Sequence, residues 1–257
     1  DGSWTLTPDQ LSDLTVTPPA DSSDDFALTV TATTTEADGD TATTTSTLNV
    51  AVTGVADAPT MGVSDAAGAE DSAITLDISS ALTDTDGSET LSLTISGVPE
   101  GASLSAGTDN GDGSWTLTPA QLSGLTVTPP ADSDDDFSLT VTATSTEADG
   151  DTASTVSTLN VAVTGVADAP TVSVSDASGA EDTAIALDIS AAVTDVDGSE
   201  SITGITIEGL PAGASLSAGT ENPDGSWTLS PAELTGLTVT PPADSDDDFS
   251  LTVTATS

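Results

Sequence analysis

The chain has 257 residues and a formal net charge of −43, because its 43 Asp and Glu residues are accompanied by no Lys, Arg or His. Self-repulsion at this level opposes a compact state, and a chain without cations cannot neutralise phosphates, which excludes nucleic acid and direct contact with an anionic membrane. Because the chain has no Cys and no His, it can form no disulfides and no thiolate or imidazole metal sites, and most kinds of catalytic site are excluded. No signal peptide precedes Asp1 and no Met initiates the chain, so we expect a piece of a longer protein.

Internal repetition divides the chain into copies of one unit. The segment DGSWTL occurs at Asp1, Asp112 and Asp224, so its spacing is 111 and then 112 residues. A period of this size matches one sandwich domain and not a solenoid turn.

The repeat predicts three domains, which share the same motifs in the same order. The first copy (1–56) is a C-terminal half, the second copy (57–167) is a complete repeat, and the third copy (168–257) lacks its last strand.

Short apolar runs with a period of two residues follow one another along each copy and predict half-buried antiparallel strands. They include Trp115–Leu117, Phe137–Val141, Leu159–Val163 and, near the start of the third copy, Ile185–Ile189. Trp alternates with Leu on one strand face, which favours packing in the core over stacking on a sugar. The segment PAQLSGL (119–125) predicts one short helical turn. The pattern as a whole predicts an all-β sandwich of immunoglobulin size.

Acidic residues collect where the predicted strands end. Glu70 follows the first strand of the second copy, and the related segments DTDGSE (84–89) and DVDGSE (195–200) follow the second strand of their copies. ADSDDD (131–136) precedes the strand at Phe137. Carboxylates and carbonyls are nearly the only ligands available, and Ca²⁺ takes six to eight oxygens, so the clusters predict bound Ca²⁺ that supplies the missing positive charge. Ordinary turn chemistry for the DxDG segments and a solvated loop for ADSDDD are the alternatives.

The order of these motifs resembles the cadherin repeat, and more closely the bacterial cadherin-like or immunoglobulin-like repeats of giant secreted repeats-in-toxin (RTX) adhesins. In cadherins a Glu follows strand A, DxD follows strand B, an LDRE-like segment precedes a Y-x-L-x-V-x-A strand, and a DxNDNAP linker ends the domain. The counterparts here read AED, DTDG or DVDG, ADSDDD before FSLTVTA, and VADAPT. The resemblance implies tandem immunoglobulin/cadherin-like β-sandwich repeats of about 111 residues, arranged as a rod, with Ca²⁺ at the junctions.

The resemblance also implies which acids share an ion at each junction. The first junction would combine Asp57, Asp84 and Asp86 with Asp21, Asp24 and Asp25 of the preceding copy, and with Glu147 and Asp149 of the hairpin. The second junction would combine Asp168, Asp195 and Asp197 with Glu70 and with Asp132, Asp134 or Asp135. Because VADAPT keeps a single Asp, the resemblance implies one or two ions per junction.

These features predict a non-enzymatic, calcium-rigidified extender that projects the ligand-binding region of a secreted adhesin from the bacterial cell surface for adhesion or biofilm formation. Its partners would be the neighbouring repeats of the same polypeptide. The alternative is a structural subunit of an extracellular filament, sheath or matrix fibre, in which another copy supplies the strand missing from the third copy. A glycosidase would need a cleft and aromatic platforms, but the Trp and Phe of each repeat are assigned to the core.

Overall fold

The structure is a computed structural model that describes residues 2–84, 86–195 and 197–257. Asp1, which opens the first DGSWTL segment, and Thr85 and Val196, which lie inside the two acidic DxDG segments, are outside the described residues. In these ranges the chain forms β-strands and three 3-10 helices and no α-helix. The prediction of an all-β fold is therefore confirmed.

The first copy contains one short helix and one hairpin. Its elements are η1 (Pro8–Leu11), β1 (Phe26–Thr35) and β2 (Thr41–Val50). β1 and β2 pair in antiparallel register along their whole length. Leu28, the third residue of β1, is 37% exposed, so this hairpin has no closed core of its own among the described residues.

The second copy contains the most extensive sheets. Its elements are β3 (Thr60–Ser64), β4 (Ala66–Ala69), β5 (Ile74–Thr75), β6 (Asp77–Ala81), β7 (Thr90–Ser96), β8 (Ser103–Leu104), β9 (Thr108–Asp109), β10 (Ser114–Leu117), η2 (Pro119–Leu122), β11 (Thr126–Thr128), β12 (Phe137–Thr146) and β13 (Thr152–Thr164). The strand orders are β4-β13-β12-β7-β10-β9, β5-β11-β8 and β3-β6. η2 confirms the predicted helical turn; Pro119 opens it, and Thr118 and Gln121 form a capping box.

The third copy repeats this plan. Its elements are β14 (Thr171–Val174), β15 (Ile185–Ala186), β16 (Ile189–Ala192), β17 (Gly204–Glu208), β18 (Ser215–Leu216), β19 (Thr220–Glu221), β20 (Trp227–Leu229), η3 (Pro231–Leu234), β21 (Thr238–Thr240) and β22 (Thr252–Thr256). The strand orders are β19-β20-β17-β22, β15-β21-β18 and β14-β16. The single strand predicted over Ile185–Ile189 is two strands, because β15 pairs with β21 whereas β16 pairs with β14.

By contacts the chain forms two compact units. Unit 1 comprises the residues up to Ala66, Thr75–Val127 and Phe137–Val161. Unit 2 comprises Ala67–Ile74, Thr128–Asp136 and Ala162–Ser257.

Each unit has an apolar core built from alternate strand residues, as the period of two requires. The core of unit 1 includes Leu76, Leu93, Ile95, Leu117, Leu125, Val127, Leu139, Val141, Leu159 and Val161. The core of unit 2 consists of Ile205, Ile207, Leu216, Leu229, Leu234, Leu237 and Val239. Trp227 is partly buried and packs against the core of unit 2, in line with its alternation with Leu229.

Candidate metal centres

Five carboxylates are buried in the described residues, although the chain has no cationic side chain to pair with them: Glu70, Asp84, Glu89, Glu147 and Asp195. A buried carboxylate must be hydrogen-bonded, bound to a metal or protonated, since its unpaired charge is costly away from water. In three places of the described structure, oxygens of three carboxylates lie within 4.8 Å of one another. Each of these places is a candidate cation site.

The first group, in unit 2, is the Glu70 cluster, formed by Glu70, Asp195 and Asp197. Glu70 follows β4, and its N–H donates a hydrogen bond of 3.0 Å to the carbonyl of Thr164. Its Oε1 accepts the N–H of Val166 at 2.6 Å, while its Oε2 is buried and has no hydrogen-bond partner among the described residues. Glu70 is 1% exposed, so a cation would satisfy an oxygen that water can hardly reach.

The two Asp residues of the Glu70 cluster are held by hydrogen bonds in the turn that follows β16. Asp195 accepts the N–H of Asp197 at 2.9 Å and the hydroxyl of Ser199 at 2.8 Å. Asp197 accepts the N–H of Ser199 at 2.7 Å and that of Asp134 at 3.4 Å. The backbone and hydroxyl hydrogen bonds from Ser199 hold the pKa of Asp197 below its ordinary value, so this carboxylate stays ionised as a metal ligand must.

Glu70 has the opposite pKa shift, above its ordinary value of 4.5. The hydrogen bond from Val166 is the largest single influence and lowers the pKa, but burial and the charges of Asp195, Asp71 and Asp197 together outweigh it. A bound divalent cation would instead favour the ionised form of Glu70, because its positive charge stabilises the carboxylates that otherwise repel one another.

The second group, also in unit 2, is the Asp71 cluster, formed by Asp71, Asp132 and Asp168. Asp71 and Asp132 each have a φ of 53°, in the left-handed region that Asp enters more readily than most residues. Asp71 accepts the N–H of Asp132 at 3.2 Å, and Asp168 donates its N–H to Glu200 at 2.7 Å. Burial and then the charges of Asp71 and Asp168 raise the pKa of Asp132. The negative charge of the cluster therefore disfavours the ionised form of Asp132.

The third group, in unit 1, is the Asp84 cluster, formed by Asp84, Glu89 and Glu147, which are 5%, 6% and 5% exposed. Glu89 Oε1 accepts the N–H of Asp57 at 2.7 Å, and its Oε2 is buried without a hydrogen-bond partner in the described part of the chain. The hydroxyl of Ser88 lies 3.5 Å from Asp84 Oδ2 and 3.3 Å from Glu147 Oε1. One hydroxyl proton can satisfy only one of these two carboxylates at a time, so the cluster is a candidate cation site.

A cavity of about 350 Å³ in unit 1 adjoins the Asp84 cluster. Of the acids predicted for the first junction, four lie in its wall: Asp21, Asp57, Asp84 and Glu147. The structure therefore brings residues of the first and second copies to one cavity.

Seven of the predicted ligands belong to one of the three clusters: Glu70, Asp84, Asp132, Glu147, Asp168, Asp195 and Asp197. Within the described ranges the other eight belong to none of them: Asp21, Asp24, Asp25, Asp57, Asp86, Asp134, Asp135 and Asp149. Several of these have local roles. Asp25 accepts the N–H of Val52 at 2.8 Å, and Asp149 accepts that of Asp151 at 3.0 Å.

Sequence reasoning missed two acids of the clusters, Asp71 and Glu89. It also missed Glu200, the counterpart of Glu89 in the third copy, which binds the N–H of a cluster member, Asp168. Glu89 and Glu200 end the two quoted segments DTDGSE and DVDGSE, and each binds the N–H of the linker Asp of its own copy. The recurrence of this Glu beside the DxD pair was the available signal. Asp71 adjoins Glu70 in the sequence, but its carboxylate belongs to a different cluster, and its φ of 53° is left-handed.

Comparisons with known proteins gave structural likenesses only, since no family model and no curated protein matches the chain. The chain is similar to extracellular cadherin domains 3–6 of protocadherin gamma B2, at 16% identity and a TM-score of 0.31, over 90% of this chain and 54% of that one. Domains 1–5 of the same protein match at 14% identity and a TM-score of 0.35, over 89% and 44%. The Escherichia coli adhesin FdeC matches at 16% identity and a TM-score of 0.28, over 90% and 80%.

The chain thus spans about half the length of the protocadherin structures. TM-scores this low define neither the fold nor the function of the chain. The described residues themselves define an all-β chain with three carboxylate clusters. Among them no helix is long and apolar enough to cross a membrane.

Proposed function

We propose that the chain is a calcium-stiffened, non-enzymatic extender formed by tandem repeats of a large secreted bacterial adhesin, and that it holds a binding region away from the cell surface. The Glu70 cluster and the Asp71 cluster would hold the ions. Each cluster takes ligands from both the second and the third copy of the repeat, so that one ion would fix two successive copies to each other.

The observation that carries this proposal is the burial of Glu70 beside Asp195. Glu70 is 1% exposed, whereas Glu181, at the same position of the third copy, is exposed. The two residues have the same local sequence, AED. The difference supports a site that forms only where one copy meets the next.

The chemistry of the ligands favours calcium. Both clusters offer carboxylates, and backbone carbonyls or water would complete a shell of six to eight oxygens, which Ca²⁺ accepts in flexible geometry. Mg²⁺ would require a near-ideal octahedron at shorter distances. One bound Ca²⁺ also removes two units from a net charge of −43, which reduces the self-repulsion of the folded chain.

Calcium binding would stiffen the chain because each ion is held by ligands from two successive copies. The folded state of each copy and its orientation relative to the next would then both depend on whether the ion is bound. At free calcium near one hundred times the dissociation constant, each site would contribute about 2.7 kcal/mol to the folded, joined state. Chelation should then release the joints before it unfolds the sandwiches, since each sandwich keeps its own apolar core.

The test combines calcium titration calorimetry with small-angle X-ray scattering of the 257-residue chain. In the parent, calcium should increase the maximum dimension, and chelator should reverse the change. The double variant Asp195→Asn/Asp197→Asn keeps the shape of both side chains but removes their charge, so it should lose calcium equivalents and remain flexible.

A matched control is Asp38→Asn/Asp40→Asn, which changes another D-x-D pair. Asp38 accepts the N–H of Asp40 at 3.2 Å, much as Asp195 accepts that of Asp197, but both control residues are exposed. The control should respond to calcium as the parent does. If Asp195→Asn/Asp197→Asn binds calcium and extends as the parent does, the junction mechanism is wrong.

A further inference from the structure

We infer that each linker is held to the copy that follows it by side chains of that copy, and that this attachment needs no ion. The linker is Asp57-Ala58-Pro59 at the start of the second copy and Asp168-Ala169-Pro170 at the start of the third. The role of the joint rests on the proposed function, but the attachment does not. Calcium would then act on the residues before the linker Asp, and the linker would move with the copy that follows it.

The linker sequence prevents ordinary strand pairing. Pro59 has no N–H to donate to a neighbouring strand, and it restricts Ala58 to an extended backbone. Pairing of β3 with β6 begins at the next residue, Thr60. Pro59 is buried, and backbone polar groups near a buried residue need partners. Side chains therefore have to supply them.

Asp57 is bound at both of its backbone polar groups. Its N–H donates to Glu89 Oε1 at 2.7 Å, and its carbonyl accepts the hydroxyl of Ser145 at 2.6 Å. Ser145 is 0% exposed and lies in β12. The other acceptor near its hydroxyl, the carbonyl of Ala153, is farther away at 3.3 Å. The buried hydroxyl thus serves mainly to hold the linker.

The next two carbonyls of the linker are bound in the same way. The carbonyl of Ala58 accepts the hydroxyl of Thr83 at 3.2 Å, and that of Pro59 accepts the hydroxyl of Thr155 at 2.6 Å. Thr83 follows β6 and Thr155 lies in β13. The linker is therefore held by hydroxyl groups from widely separated parts of the second copy.

The third copy repeats three of these four hydrogen bonds. The N–H of Asp168 donates to Glu200 Oε1 at 2.7 Å, and its carbonyl accepts the hydroxyl of Ser257 at 2.8 Å. The carbonyl of Ala169 accepts the hydroxyl of Thr194 at 3.2 Å. Among the described residues, Glu200 belongs to none of the three carboxylate clusters. The same attachment thus occurs twice, and once with no cluster member among the groups that hold the linker.

Hydroxyl–carbonyl hydrogen bonds are neutral and complete without a cation. The contrast lies two residues earlier, at Val166, whose N–H donates at 2.6 Å to Glu70 Oε1. Glu70 is a member of a candidate cation site. One linker thus has an N–H at Val166 that depends on a proposed calcium ligand and an N–H at Asp168 that does not.

The experiment is residue-resolved amide hydrogen exchange of the 257-residue chain by NMR, in calcium and in chelator. The test variant, Ser145→Ala/Thr155→Val, removes two hydroxyl donors of β12 and β13 with little change of shape. The matched control, Ser138→Ala/Thr158→Val, makes the same changes at exposed positions of the same strands. The hydroxyl of Ser138 donates to the side chain of Asn160 and not to the linker.

In the parent, the amides of Asp57 and Asp168 should stay protected in chelator, whereas calcium should slow exchange at Val166. In Ser145→Ala/Thr155→Val in chelator, the Asp57 amide should exchange about 30-fold faster, as two lost hydrogen bonds predict. The Asp168 amide should not change, and the control should match the parent. If circular dichroism shows that the double variant does not fold, Thr83→Val decides, with exchange at Asp57 about 5-fold faster.

Two results would overturn the inference. Free exchange of the Asp57 and Asp168 amides in the folded parent in chelator would show that the attachment needs an ion, although the proposed function would stand. Unchanged exchange at Asp57 in the double variant, with faster exchange in β7, would show that the hydroxyls stabilise the sandwich without holding the linker. An absence of any calcium effect at Val166 would instead count against the proposed function and leave the attachment in place.

Discussion

Glu70 and Asp195 offer carboxylate oxygens within 4.8 Å of each other, although they belong to different copies of the repeat. Both are nearly inaccessible to solvent, at 1% and 2% exposure. Two negative charges that are this close together and this inaccessible to water repel each other strongly, unless a proton neutralises one of them or a cation lies between them. The stability of unit 2 should therefore depend on both calcium and pH.

Without calcium, Glu70 should make the free energy of unfolding fall as the pH rises. Its pKa in the folded chain is raised above 4.5, so the folded state keeps this proton to a higher pH than the unfolded state does. The stabilisation is complete below the unfolded value of 4.5 and is lost as the pH rises through the folded-state pKa. Glu70→Gln removes this titration.

Denaturant unfolding in chelator, from about pH 4 to about pH 7, checks this prediction. The free energy of unfolding of the parent minus that of Glu70→Gln should decrease with rising pH in chelator. It should increase with pH in saturating calcium, because the ion favours the ionised carboxylate. Glu100→Gln serves as the control, and a difference between parent and Glu70→Gln that is constant with pH in chelator would contradict the prediction.

Gly54→Ala should weaken calcium binding at the Asp84 cluster. A Cβ at this position would lie 2.7 Å from Cδ and 2.8 Å from Oε2 of Glu147, so the carboxylate must move away. Displacing the surroundings of a metal ligand typically costs about 10-fold or more in affinity. Calorimetry should detect this loss. Gly204→Ala is the control, because its Cβ would meet no described atom within 4 Å; equal affinities in the two variants would refute the predicted displacement.

Leu139→Ala should destabilise unit 1 far more than Leu28→Ala. The two leucines occupy the same position in successive copies, but Leu139 is 0% exposed and Leu28 is 37% exposed. Removing a fully buried Leu side chain costs about 2–5 kcal/mol, while a partly exposed one loses less apolar burial and leaves no closed cavity. Denaturant unfolding in calcium measures both values. Similar losses would mean that the first copy has a core as closed as that of the second.

The repeat boundaries predict that residues 57–167 form an independent domain. This segment contains every strand from β3 to β13, whereas a segment from one DGSWTL to the next, 112–223, would divide the pairing of β7 with β10 and β12. In calcium, the 57–167 fragment should give a strand-rich circular dichroism spectrum and unfold cooperatively. Greater stability of the 112–223 fragment would reverse the assignment of the boundaries.

Local pattern was sufficient to predict the strand content and the turn at Pro119–Leu122, because alternation and capping are encoded within a few residues. The division of Ile185–Ile189 between two sheets was not predictable, since it depends on which distant strands, β21 and β14, lie beside it. The same limit applies to the clusters. The motifs identified Glu70, Asp195 and Asp197, but the grouping of Asp71 with Asp132 and Asp168 depends on which distant segments of the chain lie beside it.

We expect calcium to bridge the second and third copies through the Glu70 and Asp71 clusters. Crystals of the 257-residue chain grown in calcium and measured at a long wavelength would test it directly, because calcium gives an anomalous signal that water does not. Calcium bound at the two clusters should give anomalous peaks within about 2.3–2.6 Å of carboxylate oxygens from both clusters. Well-ordered density for Glu70, Asp195, Asp71 and Asp168 with only water between them, in saturating calcium, would contradict it.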